Sequence, residues 1–308
     1  MKIFVQKGSN MLKVSFFSYK GGAGRTSMLY NTISYLADEL GATPEEPVVV
    51  LDLDIDSKGL SYLLVDEGAD TADKLDVVKV LNQTDITADA FATKEEILGK
   101  MIPVGKMLGL GEGKNGNILF ITAHSNEKLN GDSNYDGRNV ELENFANRLE
   151  KFGCKALVMD NPAGGQLPAS VALRISDKIV VAMRITKQFK EGTREFIARQ
   201  KNFDNKDYII VPNAVPSAEG TIYSIENILR RIKDDLTVAG EGGHNKVTTD
   251  LIDEGGIHEV RLFKFEETNL RLKAKEYELT KAEIYKLAED EAEAQRKYEK
   301  LAKVIADD

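Results

Sequence analysis

Eight consecutive residues, Lys20-Gly21-Gly22-Ala23-Gly24-Arg25-Thr26-Ser27, combine three glycines, two cations and two hydroxyls in one short stretch. Glycines lack a Cβ, so a run of them can turn successive backbone N–H groups inward and form a concave nest for an anion. An apolar run, Val14 to Tyr19, precedes the stretch, and a helix-like pattern, Met28 to Leu40, follows it. The glycines therefore fall between a strand and the positive end of a helix, where the β-phosphate of a nucleotide is favoured. Thr26 stands where a hydroxyl would ligand Mg²⁺. The common phosphate-loop template G-x-x-x-x-G-K-[ST] is not met, because Tyr19 stands in place of its first glycine and Arg25 in place of its lysine. A plain structural turn between strand and helix is the competing reading of these glycines.

Acids appear at the ends of two further apolar runs. Val48 to Leu53 is a β-branched segment carrying Asp52 and ending in Asp54, and Lys155 to Met159 ends in Asp160, followed by Asn161-Pro162-Ala163-Gly164-Gly165. An unpaired buried carboxylate is costly, so acids at the carboxyl end of a buried strand usually face a mouth where ligands bind. Phosphoryl transfer needs a water held in line with the γ-phosphate and a carboxylate holding the shell of Mg²⁺. Helix capping near Ser57 and an ordinary Pro-Gly turn after Asp160 are the structural alternatives. A third apolar run, Tyr208 to Val211, leads into Pro212-Asn213. The Asn213 amide could read an adenine edge, since it donates and accepts at once, or could serve as turn chemistry.

The elements that must position these residues alternate along the chain. Apolar, strand-like runs at 14–19, 48–54, 117–123, 155–160, 177–183 and 207–213 are interleaved with helical spacing at 28–40, 140–152, 191–203 and 222–232. This order predicts an α/β fold: a doubly wound, mostly parallel sheet with helices on both faces. Residues 60–117 read as an insertion of short helices at 60–65, 75–81 and 93–101, closed by a Gly-rich surface loop near 103–113. The expected division is a phosphate-loop domain at 1–240, then a flexible loop and a charged C-terminal helical extension at 241–308. From Arg261 to Asp308 there is no Gly or Pro, and the heptad pattern is too broken for a coiled coil. A helix packed back on the domain, or against a partner, is expected there.

Lysine before the glycines, a glycine-rich loop and paired strand-end acids together resemble the ParA/MinD family of deviant Walker A ATPases, within the SIMIBI class of P-loop NTPases. The resemblance covers roughly residues 13 to 215. It implies that Lys20 reaches across a dimer to the partner's nucleotide, and that Gly21, Gly22, Ala23, Gly24, Arg25, Thr26 and Ser27 cradle ATP. It further implies that Asp54 positions the attacking water, that Thr26, Asp52 and Asp160 serve Mg²⁺, and that Asn213 reads the base. Asp160 to Gly164 follows the MinD wording D-x-P-A-G, and Pro162 to Gly165 would sense the γ-phosphate. Two departures stand out: Arg25 replaces the loop lysine, placing the chain nearest a branch with arginine there, and Thr186-Lys187-Gln188 lacks the proline of the usual Thr-x-Pro. Arginine keeps the charge but substitutes a planar fork for a compact ammonium. The implied activity is that of an ATPase switch that dimerises on Mg-ATP to position, partition or assemble a partner. A nucleotide-binding scaffold with little or no hydrolysis is the alternative.

Composition narrows the partners. The chain has 308 residues, 42% hydrophobic, with a formal net charge of -9, which argues against a surface that clings to DNA throughout. A local, non-specific DNA contact stays open, although Arg230, Arg231 and Lys233 are followed directly by Asp234 and Asp235. A protein partner would use the C-terminal helices or residues 60–117. One cysteine, Cys154, among apolar neighbours, reads as a buried thiol, and His244 and His258 lack partners at metal-ligand spacing. No apolar run is long enough to span a membrane, so stable insertion is not expected and a cytoplasmic location is.

Overall fold

The computed structural model describes residues 11–65, 69, 71–111, 113–129, 135–164, 168–199, 206–213, 215, 225–240, 246–254, 256–257 and 295–307. Its centre is the strand before the glycines, β1 (Leu12–Phe17), with β5 (Ala156–Asp160) on one side and β6 (Lys178–Met183) on the other. Outward from β5 lie β2 (Val48–Asp52), β4 (Ile118–Ile121) and β3 (Ile102–Pro103); outward from β6 lie β7 (Asp207–Pro212) and β8 (Lys246–Thr248). Every pairing is parallel except the β3–β4 edge. Pro103 cannot donate to a ladder, which suits it to that edge position.

All five residues of β2 and all five of β5 are buried, as expected of strands covered on both faces. The period of two sorts them: Val48, Val50, Ala156 and Val158 pack into one core, and Val49, Leu51, Leu157 and Met159 into the other. The first core takes Met28, Leu29, Ile33 and Leu36 from α1 (Arg25–Glu39), with Leu229, Ile232 and Leu236 from α8 (Ile225–Gly240). The second takes Val77, Val80 and Leu81 from α3 (Val77–Asn82), Ile97 from α4 (Lys94–Gly99), Leu142 and Phe145 from α5 (Tyr135–Lys151), and Val171 from α6 (Ala169–Ile175). The short helix α2 (Gly59–Leu64) follows β2, α7 (Lys187–Arg199) follows β6, and α9 (Asp250–Asp253) follows β8. The doubly wound α/β reading therefore holds.

Several boundaries differ from the sequence reading. Residues 60–117 pack into the body of the fold: Val104, Leu108 and Leu110 of the Gly-rich loop are buried in the first core. The sheet runs past residue 240, because β8 continues the parallel ladder from β7. Helix α7 begins four residues before the expected Glu191, and α8 extends well beyond the expected Ile232. Of the anticipated C-terminal helices, residues 295–306 form α10, which packs back on the domain through buried Tyr298, Leu301, Ala302 and Ile305. Lys178 Nζ donates to the carbonyls of Val304 and Asp307, pinning the end of α10 beside β6. His244, His258 and the rest of 258–294 lie outside the described residues. Cys154 is buried, and burial pushes its thiol up to about 11. Among the described residues, no helix is long and apolar enough to cross a membrane. Lys233 pairs with Asp253, and Lys190 with Asp235, so the basic cluster on α8 is interleaved with acids.

Candidate nucleotide site

The carboxyl ends of β1, β2 and β5 lie side by side, with Phe16 and Asp52 both in register with Asp160. That register brings residues more than a hundred positions apart to one point above the sheet. The chain leaves β1 through the glycine-rich loop and enters α1 at Arg25, with Gly24 as the N-cap residue at φ 77° and ψ 22°. This left-handed conformation is strained for any residue with a Cβ. A Cβ on Gly24 would also stand 2.2 Å from Asn213 Nδ2.

Asp160 is fully buried and both of its oxygens are engaged. Thr26 donates its hydroxyl hydrogen to Asp160 Oδ2 at 2.8 Å, and Arg25 Nε donates to Oδ1 at 2.5 Å. The other end of the guanidinium, Nη2, donates to Asp54 Oδ2 at 2.9 Å and approaches Thr26 Oγ1 at 3.3 Å. Arg25 is itself only 7% exposed. Burial works against its charge, but Asp160 and Asp54 outweigh that cost and raise its pKa, so the side chain is a permanent cation. Burial pushes the Asp160 carboxyl above its ordinary range, opposed by the Arg25 charge and by the hydrogen bond from Thr26. At Asp54 burial also pushes upward, but hydrogen bonds from Ser57 and Arg25, with the Arg25 charge, win and hold the carboxyl below its usual value.

Asp52 is tied down by neighbours that sequence patterns do not single out. Its Oδ2 accepts from the Ser61 amide at 2.9 Å and the Ser61 hydroxyl at 2.7 Å, and Oδ1 accepts from the Asp54 amide at 3.1 Å. Ser61 Oγ in turn accepts from the Ala123 amide at 2.8 Å, linking α2 to the end of β4. Burial and the nearby Asp160 charge push the Asp52 carboxyl up to about 7.

Gly21, Gly22, Ala23, Gly24, Arg25, Thr26 and Ser27 line a cavity of about 590 Å³, together with Ser18, Asp54, Asp56, Ser57, Pro162 and Ala163. This is within the usual size of a small-molecule site. Nothing lies within 4 Å of where a Cβ would stand on Gly21 or Gly22, so the space over the loop is open. The residues fit a nucleotide phosphate on that ground. They fit Mg²⁺ on the chemistry of the donors, since a hydroxyl beside a carboxylate is a hard oxygen pair of the kind Mg²⁺ takes alongside phosphate. Among the described residues, no group of three or more His, Cys, Asp or Glu side chains forms a self-sufficient metal cage.

Solved structures share this architecture. A McdA–ATP complex from Cyanothece aligns over 97% of each chain with a TM-score of 0.58 at 12% identity. A ParA family ATPase from Chlorobium tepidum TLS aligns over 79% of this chain and 87% of that chain, with a TM-score of 0.51 at 13% identity. The chain shares the fold of these two proteins. No protein-family model matches the sequence, and comparison with curated proteins finds no match.

Four expected site residues, Lys20, Asp52, Asp160 and Asn213, surround the loop without lining its cavity. Lys20 is exposed, and its Nζ donates to Gln188 Oε1 at 3.2 Å, at the start of α7. Asn213, at the end of β7, donates from Nδ2 to the Ala23 carbonyl at 2.7 Å and so braces the loop from the side. Asp52 and Asp160 lie behind the cavity lining, and Asp160 meets it through Arg25 and Thr26. Pro162 and Ala163 reach the cavity, and the Gly164 amide donates to the Ser18 carbonyl at 3.1 Å. Gly165 lies outside the described residues. Arg184, one residue past β6, was not anticipated; its Nε donates to the Gly22 carbonyl at 2.7 Å. Its signal in the sequence is a single cation at the carboxyl end of a buried strand, the same position that marks the acids.

Proposed function

We propose that this protein is an ATP-dependent switch that dimerises on Mg-ATP and hydrolyses it slowly to control the positioning, partitioning or assembly of a partner. One observation carries the reading: Thr26 and Asp54 line an open cavity walled by the glycine loop at the carboxyl end of a parallel sheet, with Asp160 bound directly behind Thr26. In this reading the backbone of Gly21 to Ser27 holds the phosphates, and Arg25 supplies positive charge to them. Thr26 and Asp160, with Asp52 behind, would hold Mg²⁺, which when bound neutralises charge on the phosphate oxygens. Asp54 is kept ionised and orients the attacking water as a hydrogen-bond acceptor. Lys20 does not line its own cavity, which supports a role in the partner's site. Asn213 contacts the base once the nucleotide is seated.

A nucleotide-binding scaffold with little hydrolysis is the second reading, favoured by Arg25, whose guanidinium is engaged by the two acids that turnover would use. Sedimentation velocity and phosphate release separate these. Wild type should shift from monomer to dimer on adding Mg-ATP and release phosphate slowly, while Lys20→Ala should stay monomeric. Dimerisation without phosphate release selects the scaffold, and no response of either kind to Mg-ATP removes both readings.

A further inference from the structure

Two acids that the nucleotide reading gives separate tasks, Asp160 for Mg²⁺ and Asp54 for the attacking water, are already held by a cation that belongs to the chain. Arg25 Nε sits 2.5 Å from Asp160 Oδ1, and Nη2 sits 2.9 Å from Asp54 Oδ2. The Thr26 hydroxyl hydrogen points to Asp160, which leaves the oxygen lone pairs for a metal, yet Arg25 Nη2 points an N–H at that oxygen from 3.3 Å. A divalent cation placed on Thr26 would therefore meet a fixed positive charge at close range, in a site where burial weakens solvent screening. Arginine suits this role better than lysine, because its planar fork can hold Asp160 with one edge and Asp54 with another.

We propose that Arg25 is a resident counter-ion that excludes divalent metal from the empty loop, so that metal enters only with a nucleotide. Phosphate oxygens compete with Asp160 and Asp54 for the guanidinium, and their arrival frees Thr26 Oγ1 and the Asp160 carboxylate. The empty and loaded states then differ by one side-chain exchange, acid-bound to phosphate-bound. This inference rests on the nucleotide reading of the loop.

Mn²⁺ binding to the nucleotide-free, full-length protein, followed by electron paramagnetic resonance, tests it. Arg25→Met keeps an unbranched stem about as far as Nε and removes the charged guanidinium. It should gain an Mn²⁺ site at least tenfold tighter than any in wild type, and that site should be lost in Arg25→Met/Asp160→Asn. Equal Mn²⁺ affinity in wild type and Arg25→Met overturns the proposal. Wild type and Thr26→Ala keep the arginine bridge and provide a comparison that does not depend on how Arg25→Met folds. Without nucleotide the two should bind Mn²⁺ alike, and a site present in wild type but missing in Thr26→Ala overturns the proposal. Adding the non-hydrolysable analogue AMPPNP to the wild-type sample should create a Thr26-dependent Mn²⁺ site. If AMPPNP does not bind at all in the presence of Mn²⁺, the nucleotide reading itself fails, an outcome distinct from metal binding to the empty loop.

Discussion

Replacing Gly24 by alanine should damage the loop for two separable reasons. Gly24 sits at φ 77°, and holding an L-residue there costs about 1–2 kcal/mol. The new Cβ would stand 2.2 Å from Asn213 Nδ2, so the amide must move and give up its 2.7 Å bond to the Ala23 carbonyl, a loss of about 1 kcal/mol. Gly24→Ala should therefore cost about 2–3 kcal/mol in urea denaturation, the sum of the backbone and hydrogen-bond losses. Asn213→Ala alone should cost about 1 kcal/mol, because it removes only the bond. In the double variant the bond can be lost only once. The pair should therefore fall short of additivity by about 1 kcal/mol, well outside the few tenths expected of independent sites. Strict additivity would show that Asn213 does not brace the loop against Gly24, and the reasoning would fail.

Asp52 gives a pH signature. Its carboxyl titrates near 7 in the fold and near 3.9 in an unfolded chain, so between those values the folded state binds a proton that the unfolded state has lost. Stability contributed by this group is therefore lost as pH rises from about 4 to 7, by on the order of 4 kcal/mol at most. Asp52→Asn should flatten that dependence, so that wild type becomes progressively less stable relative to the variant across this range; a pH-independent difference would contradict the burial argument. Leu301 on α10 is fully buried in the first core, and Leu301→Ala should cost about 2–5 kcal/mol in denaturant unfolding. A loss below about 0.5 kcal/mol, the size of a surface substitution, would mean that α10 is not docked in solution. Asp54→Ala should abolish phosphate release while nucleotide still binds by equilibrium titration, and undiminished turnover would remove Asp54 from the water-positioning role.

Much of the fold could be read locally, because buried parallel strands are continuous apolar runs and glycine loops punctuate them. Val48 to Leu51 and Ala156 to Met159 announce themselves in this way, and the acids at their ends mark the mouth of the sheet. What could not be read depends on pairing across the sheet. Edge strand β3 is two residues long and holds a proline, so it carries almost no periodic signal. Strand β8 is three residues long beside Gly-rich sequence and is recognisable only from its ladder to β7. Ser61 matters because α2 folds its amide and hydroxyl onto Asp52, nine positions back, and a lone serine in a helical pattern says nothing of that. Arg25 shows the same limit within the loop itself. Its charge is plain in the sequence, but its direction, toward Asp160 and Asp54, follows from the register of β1, β2 and β5.

A structure of the protein with Mg²⁺ and AMPPNP tests the central claim most directly. The account predicts the β-phosphate over the amides of Gly21 to Ser27, Arg25 withdrawn from Asp160 and Asp54 onto phosphate, and Lys20 reaching the nucleotide of a second copy across a two-fold axis. Nucleotide bound elsewhere, with Arg25 still clamped between the two acids, would contradict it.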